Sequence, residues 1–509
     1  MTDYIRPTPV FCAAAGMAVG FYLLSIIKNI FISIAVLVIA LIVLCFFKAL
    51  ASFSGYFTND KRREKVLLIC CTVFAAGLIF GLGASNAGHK EAQFSILPET
   101  VIAIEGVLLE DPRLISGGSA MASVSLRRCA ADTESGTLHA GSKGEITVFF
   151  PQDSAVRLRE FGRGTTVYTE GSLRKPSQSG ASWTFSAKSI HITKTAPAIE
   201  RMRTDIRLNL IDRFSLSAYA DTDAYADDEW GGLALALLLG IKDNLDSNLS
   251  VMYRKAGCSY ILALSGMHLA ILAGLIAFML RKPLGLKAAA IIGAVIIILY
   301  CLLVGPLPSL YRAALMYLLG VVAILGFLPK NLLYILCLSF IIQIMVTPAA
   351  GHSISFILSY LALFGILLIG TPLRSLFTGK IPDFLLQPLS ASCGAFFATT
   401  GVTAYSFKYI VPVGIIAGLI LVPLTTVFMI GSLIWLFLDF FSISFILNFP
   451  LSLLYKIMEK IVFVAGGIGQ VSTEKQPFTF FALFFVLSLS IVIFELKYAK
   501  VRTKMEPFK

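Results

Sequence analysis

Three short stretches carry side chains that could do chemistry. In Cys258–Leu272 (CSYILALSGMHLAIL), Ser265, Gly266 and His268 stand inside an otherwise apolar block. Ser265 and His268 are three residues apart, which makes them neighbours on a helix and able to hydrogen-bond. A histidine at bilayer depth is costly unless it meets a cavity or a partner, so it marks a functional candidate. The packing alternative uses Gly266 for close helix approach, with Ser265 and His268 as interhelical hydrogen-bonding groups. In Gly305–Met316 (GPLPSLYRAALM), Pro306 and Pro308 tighten a connection between two spans, and Arg312 falls in the first turns of the next helix. There it either snorkels to the outer interface or faces a water-filled path and meets an anion such as a phosphate. Gly351–Ala362 (GHSISFILSYLA) places His352, Ser353, Ser355 and Ser359 on one apolar helix, as packing groups or as the wall of a polar pore.

Other chemistries lack their signatures. The sequence holds no HExxH, no GxxxxGK[ST] phosphate loop and no GxSxG nucleophile elbow. Most of its nine cysteines lie in apolar blocks, there is no CxxC pair, and Cys129 is alone in the large polar region. No metal, cofactor or disulfide is expected from that pattern.

The elements that must position these residues are membrane helices. Of 509 residues, 57% are hydrophobic and only 14% charged, far from the roughly 25% charged of soluble domains. The apolar residues fall in blocks of about eighteen or more, the length that spans a bilayer core of about 30 Å. A soluble enzyme, a disordered tail and a disulfide scaffold are excluded. Three blocks open the chain, at Pro9–Ile27, Asn29–Phe47 and Val66–Ala84. Nine more follow: Ser259–Leu280, Ala288–Val304, Pro308–Leu328, Leu332–Val346, Ser353–Gly370, Phe384–Tyr405, Val413–Leu438, Ser444–Ala465 and Phe478–Phe494. Ser444–Ala465 is interrupted by Lys456, Glu459 and Lys460; counting it gives about twelve spans.

The formal charge of +12 is not a nucleic-acid footprint. Residues 88–200 contain twelve basic and twelve acidic side chains, and the excess sits in short loops, +3 each in Lys48–Lys65, Arg281–Lys287 and Glu495–Lys509. Basic loops stay in the cytoplasm, which puts both termini inside and residues 88–200 outside. The first block is read as an uncleaved helix, since no basic leader with a cleavage site precedes it.

Residues 88–200 read as all-β. Thr100–Glu110, Ala120–Arg127, Gly144–Pro151, Thr165–Ser172 and Ser182–Ile192 are short runs with period-two character, separated by Gly, Ser, Asp and Pro clusters. The first contains a glycine where a strand could bulge. Five short strands suit a small oligonucleotide/oligosaccharide-binding (OB) barrel, with a generic sandwich as the alternative. Arg201–Arg213 alternates charge and apolarity at helical spacing, as a helix lying on the membrane surface does. An acidic stretch follows, then Trp230–Leu239, apolar but too short to span: interfacial, re-entrant or buried. The division is therefore 1–87, three helices; 88–200, the β domain; 201–256, an amphipathic and interfacial segment; and 257–509, the polytopic domain. The fold class is mainly α, a polytopic membrane protein with one small OB-like β domain outside.

In this order the elements resemble the ComEC-type competence proteins. The LSGMH run, Leu264 to His268, is similar to that family's ISG-[LM]-H motif, preceded by a leader for which Leu239-Gly240-Ile241-Lys242 stands here. Its Ser-x-x-Arg-Ala-x-x-Met element matches Ser309, Arg312, Ala313 and Met316. Its Phe-x-Leu-Ser element matches Phe356, Leu358 and Ser359, with Ile357 where glutamine is common. The resemblance covers essentially the whole chain. It implies a cytoplasmic-membrane channel for single-stranded DNA during natural transformation, with Ser265, Gly266, His268, Ser309, Arg312 and Ser359 at the path or in its packing. Membrane lipid, an outside DNA receptor, a separate nuclease, a cytoplasmic motor and a homo-oligomer are the partners implied. Many relatives carry a C-terminal metallo-β-lactamase-like domain; the five histidines here include no HxHxDH run, so any nuclease is expected on another polypeptide. The β domain has no net charge, which weakens phosphate attraction; Tyr168, Trp183 and Phe185 could stack bases, although core packing is the more usual job of such aromatics. No catalytic residue is assigned. Two other classes stay open: an intramembrane serine hydrolase using Ser265 with His268 or His352, and a small-solute or lipid exporter.

Overall fold

The computed structural model describes residues 9–26, 61–87, 92–115, 119–133, 136–151, 162–174, 183–216, 230–327, 331–474 and 479. The expected span Asn29–Phe47, all of Phe478–Phe494 but residue 479, the acidic stretch from Asp221 to Glu229, Lys330 and the basic tail lie outside the described residues. The chain is mostly helical, with its large sheet in the N-terminal half and a two-stranded pairing of Tyr409–Ile410 with Val471–Ser472 near the other end.

Helices α1 (Pro9–Ile26) and α2 (Lys61–Ala87) pack through paired small residues. A Cβ on Gly16 would stand 2.1 Å from the Phe74 carbonyl oxygen and one on Gly20 2.2 Å from that of Leu78. Only glycine permits this approach. The contacts advance together along both helices, so α1 and α2 run parallel.

Five strands close into a ring: β1 (Val101–Leu108), β2 (Ala120–Thr133), β3 (Glu145–Phe150), β4 (Thr166–Arg174) and β5 (Thr184–Lys194). Strand β1 pairs with β2 and β4, β2 with β3, and β4 with β5, all antiparallel, while β3 and β5 close the ring in parallel. The register slips between Glu105 and Gly106, at the glycine expected to bulge. Inward-facing Ile104, Leu108, Val124, Ile146, Val148, Phe150, Val167 and Phe185 fill the interior.

Helix α3 (Ala198–Leu216) leaves the barrel with Ile199, Met202 and Ile206 exposed on one side and Arg203 buried on the other. All ten residues of α4 (Trp230–Leu239) are buried, so of the three expectations for this segment the buried one holds. Trp230 meets Trp435 edge-on at 5.4 Å, and Phe214 stacks on Trp435 at 4.9 Å. Then come α5 (Ser247–Lys255), capped by Asp246, and the single turn α6 (Ser259–Leu262).

The expectation of one continuous helix over Ser259–Leu280 needs correction. The chain is extended at Ala263 and Ser265 (φ −130°, ψ 175°), and α7 (Gly266–Val304) begins only after this break. Helix α7 itself turns at Gly285 (φ 80°, ψ 170°), beside Pro283. Its halves fold back on each other: Gly293 lies against Ile276, and Leu269, Ala273, Ile297 and Cys301 share one core. Gly266 and Val304 therefore sit at the hairpin end opposite Arg281, Lys282 and Lys287.

The remaining helices are α8 (Pro308–Leu325), α9 (Leu332–Val346), α10 (Ile354–Phe377, with a π-helical turn at Ile366–Gly370), α11 (Asp383–Phe407), α12 (Gly414–Asp439) and α13 (Asn448–Gly467). Among the described residues four helices are long and apolar enough to cross a membrane: Gly266–Val304, Pro308–Leu325, Ile354–Phe377 and Gly414–Asp439. Phe278, Leu299, Val322 and Phe437 point outward from them, as lipid-facing side chains do.

Candidate functional site

The break before α7 is built by the residues that the sequence singles out. Ser265 is the N-cap: its hydroxyl accepts from the Met267 N–H at 3.3 Å, and its own N–H donates to Nδ1 of His268 at 3.1 Å. This is a capping box in which histidine takes the position usually held by Glu or Gln. Ser265 and His268 are thus joined, with Oγ 3.1 Å from Nδ1, but at a helix start and not in mid-helix. Because Nδ1 accepts the backbone N–H, the neutral ring carries its proton on Nε2. Nε2 is buried without a hydrogen bond; the Ile261 carbonyl, released by the break, lies toward the ring outside hydrogen-bond geometry.

The start of α8 completes the break from the other side. Ser309 donates from Oγ to the Leu264 carbonyl at 2.8 Å, satisfying an acceptor that the broken helix leaves free. One turn later Arg312 is only 8% exposed. Its Nε has no partner, and its guanidinium lies against Gly266, where a Cβ would stand 2.9 Å from Nη2. Among the described residues no carboxylate comes within salt-bridge distance of it. Its one charge-related neighbour is the Tyr360 ring, with the centroid 5.8 Å from Cζ. Arg312 therefore does not snorkel to the interface.

Tyr360 is held in turn by a buried polar chain. Its hydroxyl donates to Gln343 Oε1 at 2.9 Å, and Gln343 Nε2 donates to the Pro308 carbonyl at 3.1 Å. Ser339 lies 3.3 Å from the same hydroxyl. Ser359 neighbours Tyr360 on α10, half-buried, and the structure does not bring it into this chain. His352 lies elsewhere, with its ring against Phe21 at 4.6 Å.

The barrel docks onto the same end of the hairpin through Asp111. Arg203 donates to Asp111 at 2.6 and 3.0 Å and to the Leu303 carbonyl at 3.0 Å. Arg207 donates to the Leu303 and Val304 carbonyls at 3.2 and 3.1 Å and lies 3.4 Å from Asp111. The two arginines thereby cap the C-terminus of α7. Arg163 pairs with Glu200, and its N–H donates to Asp111 at 3.0 Å. Burial opposes ionisation of Asp111, but the Arg203 hydrogen bond and the charges of Arg207 and Arg203 outweigh it and hold the carboxyl below its ordinary range. Burial pushes Arg207 down, and burial with the nearby charge of Arg113 does the same to Lys242.

Barrel, α3 and helix break together border an open cavity of about 280 Å³. Arg113, Arg163, Arg203, Arg207 and Lys242 line it against Glu110, Asp111 and Asp243, and Ala263, Leu264 and Ser309 line its membrane-domain side. Among the described residues no group of three His, Cys, Asp or Glu side chains could hold a metal. The stacking expectation for the barrel is corrected at Phe185, which is fully buried in the interior and offers no face to a base. Trp183 leans edge-on against Phe94 at 5.5 Å, and Tyr168 is half-buried, opposite Glu105 and His191 in the sheet.

A sequence model of the family described as Competence protein matches residues 237–498, from α4 through the break and across α8 to α13. The chain belongs to that family. ComE operon protein 3 of Bacillus subtilis (strain 168) is 34% identical over 137 residues, 25% of this chain and 17% of that protein. A protein of Aquifex aeolicus (strain VF5) named "Uncharacterized protein" is 28% identical over 267 residues, 51% of this chain and 60% of that one. Both matches span less than two thirds of the relative's own length. The competence-family region contains every member of the Ser265–His268–Ser309–Arg312 cluster; the barrel and Asp111 lie before it. Sequence reasoning passed over Gln343, Tyr360 and the Asp111–Arg203–Arg207 hub. Gln343 carried a usable signal, as the one amide in the apolar run LLYILCLSFIIQIMV.

Proposed function

We propose that this competence-family protein takes up single-stranded DNA across the cytoplasmic membrane during natural transformation. The observation that carries this reading is the cavity between barrel, α3 and helix break, where five cations face three carboxylates next to Leu264 and Ser309. An excess of fixed positive charge at the mouth of a polar path concentrates a polyanion there. Arg312, one turn beyond Ser309, continues the cationic lining inward, while Gly266, Ser265 and His268 keep the path's wall open at the break. Ser359 lies on the neighbouring helix wall.

The closed ring of five strands with one parallel pair supports an OB-like barrel, set outside the membrane as the entry domain. Tyr168 and Trp183 are the aromatic groups left for stacking. The parallel packing of α1 and α2 supports their running in the same direction through the membrane; about twelve spans with both termini in the cytoplasm is the proposed topology. The apolar outer side of α3 (Ile199, Met202, Ile206) fits the lipid surface. A DNA receptor outside, a separate nuclease, a cytoplasmic motor and a second copy of the chain are the proposed partners.

One contact favours a second reading. Ser265 Oγ lies 3.1 Å from His268 Nδ1, within reach for a nucleophile and its base. That Nδ1 already accepts the Ser265 N–H, and no carboxylate orients the ring among the described residues, so the hydrolase reading is the weaker. The test is deletion of the gene in a transformable host, with labelled DNA followed into the cytoplasm. Uptake lost on deletion and restored by the wild-type gene is the expected result. Normal entry without the gene refutes the proposal, and labelling of Ser265 by a serine-directed phosphonate refutes the channel-only form of it.

A further inference from the structure

Arg312 poses an electrostatic problem that the empty protein leaves open. A guanidinium stays protonated under all ordinary conditions, and taking it out of water without a partner carries a large desolvation penalty. Here it is 8% exposed, with Nε unpartnered and no carboxylate in reach among the described residues. Its Nη2 is also set against Gly266, the first residue of α7. The first N–H groups of a helix have no intrahelical acceptor, and the aligned peptides place partial positive charge at that end. The Ser265 hydroxyl takes the Met267 N–H, which leaves the helix start at Gly266 facing the cation. Two positive features therefore meet at one half-exposed turn, and an anion between them would relieve both.

We propose that the Arg312 guanidinium and the N-terminal turn of α7 at Gly266 form a binding site for a single phosphate group. Resting on the uptake reading above, that group is one phosphodiester of the passing strand. The planar guanidinium fork matches two phosphate oxygens, and the helix start supplies the kind of N–H donor that binds phosphates elsewhere. Gly266 is required because a Cβ there would occupy the space beside Nη2, 2.9 Å from it and 3.3 Å from the Ala313 Cβ. Ser265 and His268 act as positioning residues: their capping box fixes where α7 begins. One phosphate contact suits transport, since a strand held at many such points would not move on.

The experiment uses the full-length protein purified in a maltoside detergent free of phosphate. Binding of labelled oligothymidylate, inorganic phosphate and short-chain phosphatidylglycerol is measured, with thermal unfolding of the same samples. Oligothymidylate is expected to bind and to raise Tm by a few degrees, and inorganic phosphate to compete with it. Arg312→Gln should lose at least tenfold in binding while its ligand-free Tm stays level or rises, because an uncompensated buried charge has gone. Gly266→Ala should lose binding similarly and keep its ligand-free Tm, since alanine favours a helix start that glycine does not. A ligand-free Tm that falls in Arg312→Gln, with oligothymidylate binding unchanged, shows that Arg312 is a packing residue and overturns the site. Binding of phosphatidylglycerol alone overturns the assignment to the strand and gives the phosphate to lipid. Uptake that depends on the gene while the purified protein binds none of the three overturns this site and leaves the uptake reading standing.

Discussion

Replacing Asp111 tests how the barrel is held to the membrane domain. Its carboxylate takes two hydrogen bonds from Arg203 and one from the Arg163 N–H, with Arg207 at 3.4 Å. The side chain of Asp111 is 25% exposed and that of Arg203 7%. Removing one partner of a buried pair costs about 3–5 kcal/mol, because the other charge is stranded. Arg203 keeps Glu200 and the Leu303 carbonyl, and water reaches part of Asp111, so the loss should lie nearer 2–3 kcal/mol by that scale. Such a change raises the population of the undocked barrel about 30- to 150-fold. Hydrogen exchange reads it directly: amides of α3 near Arg203 should lose protection in Asp111→Ala, whereas those of the barrel interior, where Asp111 contributes nothing, should not. A cycle with Arg203→Met should show coupling between the two sites. Strictly additive effects, or a change in protection below about threefold, would refute the hub. The pH dependence follows from the lowered carboxyl. A group whose folded value lies below its ordinary 3.8 stabilises docking above that pH and loses the contribution as pH falls through the folded value. Docking should therefore be flat from pH 7 to pH 5, and undocking within that interval would contradict the assignment.

Ser265→Ala should cost about 1 kcal/mol by loss of the cap, and Ser265→Asp should restore most of it, with thermal unfolding as the measure. Gly240 has φ +72°, and a Cβ there would stand 2.8 Å from Leu264 Cδ1; Gly240→Ala should lower stability by about 2 kcal/mol through left-handed strain and displacement of the break. A Gly240→Ala protein as stable as wild type would remove the leader from its supporting role. Tyr360→Phe keeps the ring beside Arg312 but leaves Gln343 Oε1 without its donor, at a cost of about 1–2 kcal/mol, and phosphate binding should change by less than threefold. In a background without native cysteines, a cysteine at position 137 should react with an impermeant thiol reagent on intact cells and one at position 503 should not. The reverse pattern inverts the proposed topology.

Where local pattern and tertiary environment agreed, the fold was legible. Five runs of alternating apolarity coincide with the five ring strands to within a few residues, except that Ala120–Arg127 continues to Thr133. The longest strand outside those runs, Gly136–Lys143 (GTLHAGSK), has no alternation to read and gains its place by pairing with β2. Phe185 was open to two readings because aromatic residues in strands serve cores and stacking surfaces alike; only the direction of its Cβ decides, and it points inward. Asp111 stands between two strands before Pro112, with no local pattern to single it out. Its role depends on Arg203 and Arg207, almost a hundred residues away, whose spacing on α3 suited a membrane-surface helix equally well.

The break at Ser265 was invisible for a deeper reason. ALSGMHLAIL is apolar enough to continue a helix, and nothing nearby forbids it; the interruption is stabilised by partners that sequence spacing does not reveal. Ser309 supplies the missing donor for the Leu264 carbonyl from 45 residues away, and Gly240 makes room for the Leu264 side chain. Once the chain is broken there, the polar residues change meaning. A serine and a histidine in mid-helix would be buried polar groups in need of partners, whereas at a helix start they partner each other and the backbone. At the break itself, among the described residues, the buried side-chain atoms left without a partner are then Nε2 of His268 and Nε of Arg312. The histidine can stay neutral at little cost; the arginine cannot. The same geometry that makes Ser265 and His268 structural thus isolates Arg312 as the charge whose place in the fold calls for an anion.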